Sequence, residues 1–72
     1  MTHDQAKALI EGLAAENRRV AEHYRQTGDE YKRNANAATD ANLAQLHFNQ
    51  SSEFYAQARQ CDRIADAIDM IL

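Results

Sequence analysis

Imidazoles, a thiol and guanidinium groups are the side chains from which this chain could build chemistry. Its histidines are His3, His23 and His47. Two imidazoles on a helix share a metal ion when three or four residues separate them, and no pair here has that spacing. Neither internal histidine has a glutamate three residues before it, as di-iron bundles require, since Val20 and Ala44 stand there. No metal site and no cofactor are expected. Cys61 is the single cysteine, so an intramolecular disulfide is excluded. Arg59 and Arg63 flank it in sequence but point elsewhere from a helix, so the thiol is expected to stay reduced and pack as a small apolar group. No nucleophile, general acid or general base can be nominated from spacing, and the chain is expected not to be an enzyme.

Binding chemistry is better represented. Arg18, Arg25 and Lys32 recur every seven residues and would form a row roughly 20 Å long on a helix. Such a row can follow phosphates, but Glu22, Asp29 and Glu30 lie among its members and cancel much of the field. It reads as a solvated face, a charged docking face for a protein, or a site for nucleic acid or a phosphorylated small ligand. Asp62, Asp66 and Asp69 put negative charge where a helix dipole disfavours it, offset by Arg59 with Asp62 and Arg63 with Asp66. They form a solvated face or an acidic surface for a basic partner. Tyr24, Tyr31, Phe48, Phe54 and Tyr55 are expected to fill the interior, or to line a small-ligand cleft between helices of a dimer.

The elements that would carry these groups are helices. Proline is absent, and the two glycines, Gly12 and Gly28, leave few places to turn. Ala6, Ile10, Leu13, Asn17, Val20, Tyr24, Thr27, Tyr31, Asn34 and Ala38 step at alternating three- and four-residue intervals and predict one seam. Ala44, His47, Ser51, Phe54, Ala58, Cys61, Ala65, Ile68 and Leu72 predict a second. Between them Ala38-Thr39-Asp40-Ala41-Asn42 reads as a bend. The expected fold is an all-α antiparallel helical hairpin in a single domain, with helices over about 3–38 and 41–71 and a turn at about 39–41, that self-associates into a four-helix bundle or a larger assembly. Thr2 or Asp4 is the expected cap of the first helix and Thr39 or Asp40 that of the second.

Thr27-Gly28-Asp29-Glu30 has the form of a capping box, and a break there would make three helices. Pairs of Arg25 with Asp29 and of Asp29 with Arg33 favour continuity. Ala14, Ala21, Gly28 and Ala35 form a stripe of small residues beside the seam. Folding back would set Gly28 near Tyr55, Ala35 near Phe48, Tyr31 by Ser51, Thr27 by Phe54 and Tyr24 by Ala58, each large group meeting a small one. His47 and Asn34 are expected to form a buried polar pair that fixes register, and Asn17 to act similarly.

A chain of 72 residues makes a thin core, and much of its apolar content is alanine. Leu9, Ile10, Leu13, Ile64, Ile68, Ile71 and Leu72 gather at the open end and are expected to meet a second copy or another protein. The net charge of −3, with both signs interspersed, makes nucleic acid an unlikely partner. No apolar run can span a membrane and the N-terminus does not resemble a signal peptide, so a cytoplasmic protein is expected. The function expected is that of a small interaction protein, a regulator, adaptor or inhibitor that occludes another protein's surface. Small bacterial and bacteriophage regulators are often of this type, which is analogy alone.

Overall fold

A computed structural model describes residues 1–72. The chain forms two antiparallel helices, α1 (His3–Ala37) and α2 (Ala41–Ile71), in a hairpin 58 Å long and 13–14 Å in its other dimensions. Thr2 caps α1 because Gln5 stands three residues on. The Thr2 hydroxyl accepts the Gln5 N–H at 3.1 Å, and the Gln5 amide oxygen accepts the Thr2 N–H at 2.9 Å. The link Ala38-Thr39-Asp40 turns without any residue at positive φ. The Asp40 carboxylate accepts the N–H groups of Asn42 at 2.7 Å and Leu43 at 3.1 Å, satisfying two donors that α2 cannot pair internally. Asp40→Ala is expected to cost about 1 kcal/mol in urea unfolding. A cost below a few tenths would mean that α2 starts without its cap.

Gly28 lies inside α1, and no break occurs. An interior glycine gives up about 1 kcal/mol of helix propensity relative to alanine. Here the missing side chain has a use, because a Cβ at Gly28 would lie 2.9 Å from the Tyr55 ring. The expected approach of Tyr55 to Gly28 is therefore present. Asp29 pairs with neither Arg25 nor Arg33; it accepts the hydrogen bond of the Tyr55 hydroxyl.

The buried residues are Ala14, Ala21, Gly28 and Ala35 of α1 and Ser51, Ala58 and Ala65 of α2, each set spaced by seven. This corrects the seam expected on α1. The small stripe beside it forms the contact line, because alanine and glycine allow the two backbones to approach most closely. The larger seam residues are displaced to one side: Ile10, Val20, Tyr24 and Tyr31 are half-buried, while Leu13 and Asn34 are exposed. No large side chain is fully buried.

Aromatic rungs set the register. Tyr24 faces Phe54 with ring centroids 6.1 Å apart, and Tyr31 faces His47 at 5.9 Å. Phe54 also stacks on Tyr31 at 5.4 Å with an interplanar angle of 12°. Phe54 thus lies between Tyr24 and Tyr31, and Tyr31 between His47 and Phe54, so the rings of the two helices interleave. Large rings interleave along this ladder, and the expected meeting of a large group with a small one is seen where Tyr55 covers Gly28. Nor do His47 and Asn34 pair. His47 lies 3.3 Å from the Gln50 side chain, and Asn34 is exposed. Asn17 donates to the Leu13 carbonyl one turn back, a local bond that carries no register information.

Candidate functional site

The buried stripe divides the hairpin into two unlike flanks. On a helix, a residue four after a stripe position lies about 40° to one side, while residues three after and one before lie about 60° and 100° to the other. Because the helices are antiparallel, like columns share a flank. The four-after columns bring Arg18 and Arg25 against Asp69 and Asp62.

This flank is ion-paired. The Arg25 guanidinium donates to Asp62 at 2.6 Å and to Glu22 at 3.0 Å. Arg18 donates to Asp69 and lies 3.6 Å from Asp66. The bond to Asp69 raises the Arg18 pKa further above its ordinary range, and the bond to Asp62 does the same for Arg25. The C-terminal aspartates therefore find their cations across the hairpin, not at Arg59 and Arg63 as the spacing predicted. A guanidinium reaches farther and more flexibly than one turn of its own helix. Two members of the predicted Arg18–Arg25–Lys32 row are occupied in this way. Lys32, Arg33, Arg59 and Arg63 have no acidic partner within 4.0 Å. At this exposure such pairs contribute little to stability and mainly neutralise the flank.

Tyr55 belongs to the same flank. Its hydrogen bond to Asp29, reinforced by desolvation, raises its pKa above the ordinary 10.0. A pKa raised by folding gives stability that is fully present below the unfolded value and lost as pH rises through the folded value. Unfolding free energy should therefore fall above pH 10 in the native protein, with a smaller fall in Tyr55→Phe. Denaturation followed from pH 8 to pH 12 would check this, and parallel profiles would contradict it.

The opposite flank has a different character. Its one-before columns are Ala6, Leu13, Val20, Thr27 and Asn34 in α1, and Leu43, Gln50, Gln57, Ile64 and Ile71 in α2. Its three-after columns are His3, Ile10, Asn17, Tyr24 and Tyr31, and His47, Phe54, Cys61 and Ile68. None is Asp, Glu, Lys or Arg, although 26% of the chain is charged. Of the apolar residues predicted at the open end, Leu13 is 58% exposed, Ile64 44% and Ile71 79%. Ile10 and Ile68 are half-buried, and Leu9 and Leu72 are exposed. A shallow cleft of about 300 Å³ opens there, lined by Ala6, Ile10, Ile71 and Leu72 with His3 and Lys7 at its edge. Leu43 and Leu46, exposed near the turn, were not singled out by periodicity, and Phe48, expected to fill the interior beside Ala35, is instead 39% exposed. The signal at Leu43 and Leu46 was apolar type alone, in two different columns.

No group of three or more His, Cys, Asp or Glu is placed to hold a metal ion, and no buried side-chain polar atom lacks a hydrogen-bond partner. No helix is long and apolar enough to cross a membrane. No known protein family, curated protein or solved structure significantly matches the chain.

Proposed function

We propose that the chain is a non-enzymatic interaction protein, a regulator, adaptor or inhibitor, that acts when its charge-free flank is covered by another protein surface. The observation that carries this reading is the flank itself. It runs the length of the hairpin without a formal charge, and its aliphatic and aromatic side chains remain partly or largely exposed. Apolar area left in water is what protein interfaces remove. Leu13→Asp and Ile64→Asp should each weaken self-association or partner capture by about tenfold or more, since either buries an unpaired carboxylate in the interface. Arg33→Asp and Arg63→Asp, on the outer faces, should leave both unchanged. Equal effects from the two sets of variants would remove the flank from consideration.

The alternative is a nucleic-acid or phosphate-binding row at Arg18, Arg25 and Lys32. It has less support, because Asp62, Asp66 and Asp69 already occupy two of the three cations. Titration of a labelled oligonucleotide separates the readings. Salt-sensitive binding that is lost when all three residues become alanine would favour the alternative.

A further inference from the structure

Resting on the reading of the charge-free flank as an interaction surface, we infer that its occupant is a second copy of this chain. The two hairpins pack flank to flank into a four-helix bundle, with the two-fold axis along their length and the open ends together. Three observations lead there.

The first concerns charge. A chain of net charge −3 repels its own copy wherever like charges meet. Here the Arg18 and Arg25 ion pairs stand on the opposite flank, so two charge-free flanks can close without desolvating any of them. The second concerns area. A face 58 Å long and about 14 Å across offers on the order of 800 Å² per protomer, the size of a stable interface. It would supply the core that the monomer lacks, since no large side chain is fully buried within one hairpin.

The third concerns direction along the flank. Three of its exposed aliphatics, Leu13, Ile64 and Ile71, lie towards the open end, whereas Asn34 and Gln50 accompany the single exposed aliphatic Leu43 towards the turn. Open end against open end covers aliphatic with aliphatic. The reverse arrangement would set Leu13 and Ile64 against the amides and leave part of their surface poorly matched. In the favoured arrangement the two Cys61 thiols, which belong to the same flank, stand at the same height across the axis. With the hairpins reversed end to end, so that Ile64 meets Gln50, they would be separated along the axis by roughly 12 Å at 1.5 Å per residue.

The test is light scattering of the native chain over a concentration series, with a short bis-maleimide offered to Cys61. Expected are a mass twice the monomer's 8.2 kDa and a crosslinked dimer that forms in preference to single-site labelling. Ile64→Asp should raise the dimer dissociation constant about 100-fold, and Tyr24→Asp should act in the same direction. Arg63→Asp should leave both mass and crosslink unchanged. A dimer whose Cys61 thiols do not crosslink overturns the arrangement, as does a dimer indifferent to Ile64→Asp. A monomer at all concentrations overturns the second copy as occupant. The interaction reading then stands only if Leu13→Asp and Ile64→Asp still abolish capture of a different protein, and it fails as well if they do not.

Discussion

Replacing Ala21 by leucine should destabilise the hairpin by about 3 kcal/mol, the upper end of what overpacking costs. Ala21 has no exposed surface, and Ala58, on the same contact line of α2, is 1% exposed. Added methylenes there have no cavity to enter and no solvent-facing rotamer, because backbone lies on both sides. The helices must move apart, and the movement loosens the neighbouring levels at Ala14 with Ala65 and at Gly28 with Tyr55. Leucine and alanine have similar helix propensity, so the loss would report packing alone. Urea unfolding followed by circular dichroism at fixed protein concentration measures it. A cost under 1 kcal/mol would show that the backbones are not in close approach. Gly28→Ala makes a useful contrast. There the helix gains propensity while the added Cβ presses the Tyr55 ring, an exposed-edge group able to shift, and the two effects oppose each other.

Phe54→Ala should cost about 2 kcal/mol, below the range for a fully buried phenylalanine because Phe54 is half-buried. One ring serves two partners, Tyr24 at 6.1 Å and Tyr31 at 5.4 Å, so its removal also takes away both aromatic pairs. The near-ultraviolet dichroism of the tyrosines should collapse with it, while helical content at low temperature changes little. A variant that keeps its tyrosine signal would mean that the ladder does not order those rings.

The two helices, their caps and the position of the bend were legible in the sequence because each rests on local rules. Thr2 with Gln5 and Asp40 with the N–H groups after it depend on residues within one turn. Which stripe of α1 closes the hairpin was not legible in the same way. Two seven-residue patterns overlap there, the large residues at Ile10, Leu13, Val20 and Tyr24 and the small ones at Ala14, Ala21 and Gly28. Ranking by hydrophobicity selects the first, yet close approach of two backbones selects the second. The long cross-hairpin pairs were also beyond reach. Arg18 with Asp69 and Arg25 with Asp62 depend on the register, foreseen at Gly28 with Tyr55, and also on which columns share a flank, which needed the true contact line. The candidate flank was therefore half visible. Its aliphatic end could be named from residue type, whereas its extension through Tyr24, Tyr31 and Phe54 needed the true contact line.

The constant register also has a kinetic meaning. Each cross-hairpin contact closes a loop about the turn, and the loops nest, so Tyr31 with His47 encloses the shortest stretch of chain and Arg18 with Asp69 the longest. Closure entropy rises with enclosed length, so the rung nearest Asp40 is the natural first event and later rungs add to it in turn. The chain should fold as a zipper that starts at the bend. Opening runs the same path backwards, so amide exchange should be fastest around Leu9 and Ile71 and slow progressively towards Tyr31 and His47.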